Sequence, residues 1–184
     1  MVNKGIIMKT IETSRLVLRD FKQSDCDDFF EYARSEKVGP MAGWKPHDNR
    51  EESQKILNLF LEENEVWAIE YKPLNKVIGS IGLHKDSRRN NPKALMLGYV
   101  LSEEYWGKGI MVEACRAVLD HGFNDLGLEL ISVYHFPFNT QSESVIKKLG
   151  FKYEGVIRQS TVRFDQTVLD SVCYSMTKDE FNAL

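Results

Sequence analysis

The stretch Tyr105-Trp106-Gly107-Lys108-Gly109-Ile110-Met111-Val112-Glu113-Ala114 decides how this chain is read. Before it, Ala94 to Leu101 is an apolar run of strand length. After it, Met111, Ala114, Cys115, Val118, Leu119 and Leu126 recur at helical spacing, and Gly127 is the expected stop. Two glycines therefore stand between a strand and the start of an amphipathic helix. The first turn of a helix carries N–H groups with no intrahelical partner, and the helix dipole adds partial positive charge there. Such a turn is a ready anion site, above all for phosphate. Gly107 and Gly109 let the backbone approach a ligand with no Cβ in the way. Taken alone, two spaced glycines serve a simple chain reversal as readily as a ligand.

Downstream, Leu130 to Phe136 is the next strand signal, which makes residues 94 to 136 a strand–turn–helix–strand crossover. A short helix from Gln141 to Leu149 closes at Gly150, and strands at 154–164 and 168–176 form a hairpin turning at Asp165-Gln166. Upstream, Leu16-Val17-Leu18 reads as the first strand. Ser24 opens a helix with Asp27 as its capping-box partner, and Asp48 or Asn49 caps a second helix carrying Ile56, Leu57, Phe60 and Leu61. Val66 to Tyr71 and Lys76 to Leu83 are strands punctuated by Pro73 and Asn75. The order is β-α-α-β-β-β-α-β-α-β-β: a single α/β (α+β) domain with a mixed, mostly antiparallel seven-stranded sheet and about four helices. Residues 1–9 read as a loose extension, with Met8 as an alternative start, and 10–184 as the domain.

The bulk numbers set the surroundings. With 184 residues, 42% hydrophobic and 28% charged, the chain can bury one sizeable core. A net charge of −3 gives no field that draws nucleic acid or an anionic membrane, and Arg88-Arg89 and Lys147-Lys148 are too short for a binding stripe. Cys26, Cys115 and Cys173 are far apart and odd in number, against a disulfide framework or zinc site and for a reducing, cytoplasmic setting. No signal-peptide core or membrane-length apolar run is present, and no His/Cys/Asp cluster has metal-ligand spacing.

The segment from Tyr105 to Ala114 resembles motif A of the GNAT superfamily of acetyltransferases, and more narrowly the RimJ/RimL-like branch that acetylates ribosomal-protein N-termini. Ile11 to Arg19 resembles that branch's opening strand. Asn139-Thr140-Gln141-Ser142, followed by Lys148-Leu149-Gly150-Phe151, resembles its second signature, and Asp170 to Phe181 its closing strand. The resemblance spans residues 10 to 182 in order. It implies acetyl-CoA as co-substrate and a primary amine as acceptor, a protein N-terminus first and a polyamine, amino acid or antibiotic otherwise. It places the pyrophosphate on Gly107, Lys108, Gly109, Ile110 and Met111, the pantetheine arm along Val100-Leu101, and a cofactor contact at Asn139. Trp106 is a mark of the branch. Met111 adds bulk where the superfamily favours Gly or Ala, and Met96 stands where many relatives carry a glutamate, which excludes a carboxylate base there.

Acetyl transfer needs a neutral amine held near the carbonyl carbon, fixed donors for the developing oxyanion, and a proton for the leaving thiolate. Ser142 is the acid that the resemblance supports, although a serine there also caps a helix; Tyr99 is a second candidate. For the base, the strands offer His135, nearest the cleft, then His84 and Glu70. Trp44, in the loop after the first helix, is a candidate wall of the acceptor site, with His84 and Glu70 as further acceptor contacts. Two other classes compete. One is an acyl-CoA-binding module without turnover, which Met96 alone supports. The other is a phosphate-binding enzyme of P-loop or dinucleotide type, whose spacing is absent. The chain is expected to act as a monomer or homodimer.

Overall fold

The computed structural model describes residues 8–184. Eight strands form one sheet in the order β1-β2-β3-β4-β5-β6-β8-β7. They are β1 (Ile11–Glu12), β2 (Leu16–Asp20), β3 (Val66–Tyr71), β4 (Lys76–Lys85), β5 (Ala94–Leu101), β6 (Leu130–His135), β7 (Lys152–Val162) and β8 (Val168–Thr177). Among the described residues only β5 and β6 pair in parallel; every other neighbour is antiparallel. The crossover read from the sequence is therefore the single parallel step, and it is made by the helix that follows the glycine turn.

The helices are α1 (Cys26–Ala33), α2 (Gly39–Ala42), α3 (Arg50–Glu63), α4 (Ile110–Asp120), α5 (Thr140–Leu149) and α6 (Lys178–Asn182). They cover the sheet on both faces. Ile110, Ala114, Val118 and Ile146 pack against Trp67, Ile81, Leu83 and Leu97 on one face. Phe29, Tyr32 and Leu57 pack against Val66, Ala68 and Val77 on the other. Period-two alternation along β3 and β4 delivers a buried side chain to each layer in turn.

Four expectations change. The sheet has an eighth strand, β1, two residues long and below the length at which alternation can be read. Ser24 and Asp27 make no capping box: a 3-10 turn at Gln23–Asp25 precedes α1, and the Asp25 carboxylate accepts the Lys22 N–H at 2.7 Å. The segment expected as the closing strand's end is α6, capped by Thr177, whose hydroxyl accepts the Glu180 N–H. Residues 8 and 9 belong to the domain: Met8 packs against the core, and the Lys9 carbonyl accepts the Trp67 indole N–H at 2.9 Å. The rest of the expected extension lies outside the described residues. Asn49 does cap α3, accepting the Glu52 N–H. The crossover helix leaves α geometry at Asp120, continues as a wide turn over His121–Asp125, and reaches Gly127 at φ +66°.

Candidate active site

β5 and β6 are paired only from Ala94 opposite Leu130 to Met96 opposite Ser132. β5 then runs on to Leu101 and β6 to His135 without a shared ladder, so the sheet splits. A cavity of about 590 Å³ occupies the split. Alternation places Tyr99, Leu101 and Val133 toward α4 and α5, and Gly98, Val100 and Tyr134 toward the opposite face. Residues of both sets line the cavity, so it passes through the sheet from one face to the other.

The glycine turn forms one end. Gly107 and Gly109 have φ of +73° and +74°, a region where other residues are strained. A Cβ on Gly107 would meet no protein atom within 4 Å, which leaves open space beside the backbone. The N–H groups of Ile110, Met111 and Val112, in the first turn of α4, have no intrahelical acceptor, and the cavity reaches all three residues. The residues present thus fit a diphosphate. Lys108 does not line the cavity: its ammonium lies 5.4 Å from the Tyr105 ring centroid, and its carbonyl accepts Arg15 Nη1–H.

The turn is held from behind by the connection between β1 and β2. Glu113 Oε1 accepts from the Thr13 hydroxyl (2.6 Å) and the Arg15 N–H (2.8 Å), and Oε2 pairs with Arg15 Nε (2.7 Å). Burial works to raise the Glu113 carboxyl, but these hydrogen bonds and the Arg15 charge outweigh it and hold it below its ordinary value. Thr13 and Arg15 therefore brace the turn from nearly 100 residues away, a role that sequence spacing could not reveal.

The Ser102 N–H donates to the Ile78 carbonyl, which sets the phase of the β4–β5 ladder. Even-numbered residues of β5 turn their N–H and C=O groups toward β4. Those of Tyr99 and Leu101 turn toward the split. The backbone N–H and C=O of Val100 are thus turned to the sheet, and the amides that face the split belong to Tyr99 and Leu101. The Leu101 carbonyl accepts Trp106 Nε1–H at 2.8 Å, so Trp106 ties the strand's end to the turn.

Tyr99 and Ser142 meet across the cleft, Oη to Oγ at 2.8 Å. Burial pushes the Tyr99 phenol well above its ordinary value, so it stays protonated. Ser142 is not the helix cap. Asn139 holds that place, its Oδ1 accepting the Ser142 N–H at 3.0 Å, which leaves the serine hydroxyl to Tyr99. Asn139 Nδ2 donates to the Met41 carbonyl at 3.1 Å. Asn139 thus joins α5 to α2, and it also lines the cavity.

Four other expected residues fall elsewhere or are covered. His135 lines the cavity, but its Nδ1–H donates to the Phe136 carbonyl (2.8 Å), its ring stacks on Tyr174, and Nε2 is covered and meets no partner. In this conformation it presents no base to the cleft. Trp44 is tucked under its loop: a Cβ on Gly39 would lie 2.6 Å from its ring, and the wall expected of it is made by Val38, Met41 and Ala42 around α2. His84 lies over Gly82 and Gly98, 3.7 Å from Glu65, outside the cavity lining. Glu70 is paired with Arg19 Nε (2.6 Å), and Asp25 grips the other edge of that guanidinium at 2.8 and 2.9 Å. Neither His84 nor Glu70 lines the cavity, although the His84 ring lies beside Gly98, which does.

The sequence reading missed Asp86, Arg88 and Tyr134. Asp86 is 1% exposed, and its carboxylate accepts from Ser132 Oγ (2.6 Å), Tyr134 Oη (2.6 Å), the Arg88 N–H (2.9 Å) and Arg89 Nε (3.1 Å). Burial works to raise it, but the hydroxyl and N–H donors and the Arg89 charge hold it below its ordinary value. Among the described residues no group of three or more His, Cys, Asp or Glu is placed to hold a metal ion, and no helix is long and apolar enough to cross a membrane.

Residues 15–152 match the sequence model of the acetyltransferase (GNAT) domain. The chain belongs to the GNAT acetyltransferase family. An uncharacterized N-acetyltransferase of Bacillus subtilis, YoaA, is 30% identical over 173 residues, spanning 91% of this chain and 96% of its own. The fold of this GNAT acetyltransferase is similar to that of a GNAT-family acetyltransferase from Bacillus anthracis, at 23% identity and a TM-score of 0.83 over 94% of this chain and 100% of that one. A ribosomal-protein-S5-alanine acetyltransferase from Vibrio fischeri is 26% identical, with a TM-score of 0.74 over 95% of this chain and 99% of its own. Acetyltransferases of this fold use acetyl-CoA as co-substrate, which accords with the anion-binding turn of this one.

Proposed function

We propose that this chain transfers the acetyl group of acetyl-CoA to a primary amine, and that a protein N-terminal α-amine is the first acceptor to test. The observation that carries the transfer is the cavity itself. It begins at unpaired N–H groups, follows strand amides, reaches a Tyr–Ser pair, and opens on the other face of the sheet. The likeness to the Vibrio fischeri ribosomal-protein acetyltransferase supports the protein-N-terminus reading. Three buried thiols with no disulfide support a cytoplasmic enzyme. A monomer or homodimer remains the proposed assembly.

Acetyl-CoA supplies an acyl carbon already activated by its bond to sulfur. The first turn of α4 binds the diphosphate through N–H groups and positive dipole. Tyr99 and Leu101 amides align the arm, and an N–H in the split polarises the acyl oxygen, a contribution of about 3–4 kcal/mol in comparable sites. The acceptor's neutral amine enters from the α2 side and forms the C–N bond as the C–S bond breaks. The Tyr99–Ser142 pair delivers a proton to the sulfur, the amine's proton leaves to solvent through the open acceptor side, and the pair regains a proton from solvent before the next turnover.

The test is thiol release from acetyl-CoA with peptides beginning Ala, Ser and Met, beside spermidine, amino acids and an aminoglycoside. Release with at least one amine, with the acetyl group recovered on nitrogen, is expected. Tight acetyl-CoA binding with no release from any amine would replace this reading with a non-catalytic acyl-CoA-binding module.

A further inference from the structure

On the acceptor face the cavity is lined mainly by apolar and uncharged groups, among them Met41, Met96, Gly98, Val100 and Phe136. Among the described residues, the charged side chain on that face is Arg88, and no aspartate or glutamate lines the cavity on either face. Such a lining offers a polyamine no counter-charge. It offers an anion one.

Arg88 is held in a particular way. Its guanidinium lies over the Tyr134 ring, 4.2 Å from the centroid, and Nη2–H donates to Ser171 Oγ at 3.1 Å. Tyr134 is itself fixed by Asp86, and Ser171, 3% exposed, is held by Ser160 Oγ at 2.7 Å. An irregularity in β7 between Ile157 and Thr161, with Gln159 at φ +51°, brings Ser160 to Ser171 and Thr161 to the cavity wall.

The nearby carboxylates are already taken. Arg89 Nε pairs with Asp86 and Arg89 Nη2 with Glu154. Two arginines share two acids, and Arg89 claims both. Among the described residues Arg88 makes no salt bridge. A planar guanidinium, stacked on a ring, bonded to a buried serine and lining a cavity, is preorganised for a carboxylate, which it can grip through two parallel N–H bonds.

We infer that Arg88, set on Tyr134 and Ser171, selects an acceptor amine that carries a carboxylate. The inference rests on the acetyl-transfer reading above and narrows its acceptor. The carboxylate can belong to a free amino acid or to an acidic residue beside a peptide N-terminus, and matched pairs separate these sources.

The experiment compares thiol release, with the full chain, for amino acids against their carboxamides and for C-terminally amidated dipeptides with Glu against Gln in second place. We expect kcat/KM to favour the acid about tenfold or more in at least one pair, through KM. Arg88→Gln brings that ratio near one, and Arg88→Lys retains part of it, since a point charge survives but the fork does not. Circular dichroism and Tm confirm that the variants fold. Equal rates for acid and amide in every pair, or a preference that survives Arg88→Gln, overturns the inference while leaving acetyl transfer intact. No release from any amine removes both.

Discussion

The hydroxyl of Tyr99 lies 2.8 Å from Oγ of Ser142, one on a strand, the other in the first turn of a helix on the far side of the cleft. Because Asn139 takes the helix cap, the serine hydroxyl is released from the local task that serine most often performs near a helix start. Ser142→Ala and Tyr99→Phe should each lower kcat about 10²-fold with little change in acetyl-CoA affinity. The double variant should lose little more than either single one, since the two groups act as a unit. Steady-state thiol release and calorimetry check this; additive losses would separate the pair.

Gly107→Ala isolates the ligand from the protein. The added methyl meets no protein atom, so its cost to the fold is that of a left-handed alanine, about 1–2 kcal/mol. Acetyl-CoA affinity should fall well beyond this, because the space beside residue 107 is where the diphosphate approaches. A stability loss with unchanged affinity would move the diphosphate elsewhere.

The brace behind the turn predicts an acid limb of stability. Glu113 and Asp86 are both held below their ordinary values of 4.5 and 3.8, so folding favours their charged forms. That stability is present above those values and is lost as pH falls through them and on toward the lower folded-state values. Glu113→Gln should shrink the acid limb and lower stability by about 1–3 kcal/mol at neutral pH. Urea melts between pH 3 and 7 check both; an unchanged acid limb would show that the brace carries no weight.

Asp86→Ala strands two hydroxyls at once and leaves Arg89 with Glu154 as its remaining acid. The expected loss is about 3 kcal/mol, a fall in Tm on the order of 6–12 °C for a chain of this length. Asp86→Asn, which keeps one acceptor, should lose less. Thermal melts decide; equal losses would mean that the charge carries the whole effect and that the retained acceptor and volume of asparagine carry none.

His135→Gln should lower kcat less than about tenfold, because Nε2 is covered and general-base losses usually exceed this. A larger fall with normal acetyl-CoA binding would show that the ring turns out to the cleft during turnover.

Much of the frame was legible in the sequence because local chemistry and tertiary structure agree there. The glycines at 107 and 109, the Asn49 cap and the Gly150 stop each do in the fold what their backbone preferences require. Ser24 and Asp27 failed because Asp25 is drawn into a network with Arg19 that extends to Glu70, a partner that no short window contains. Trp44 failed because an aromatic in a loop reads alike whether it faces a ligand or, as here, the backbone of Gly39. α6 could have been found: Thr177 and Glu180 stand at capping-box spacing. The site was half legible. Its anion end is written in one turn, whereas Arg88, Tyr134 and Ser171 come from three separated segments that only the sheet order assembles.

The opening that runs through the sheet also governs the order of events. With separate doorways on opposite faces, neither reactant must leave before the other arrives, and Cys26, Cys115 and Cys173 all lie outside the lining, so no thiol is placed to carry the acyl group between visits. Initial-rate lines at varied concentrations of both reactants should therefore converge rather than run parallel.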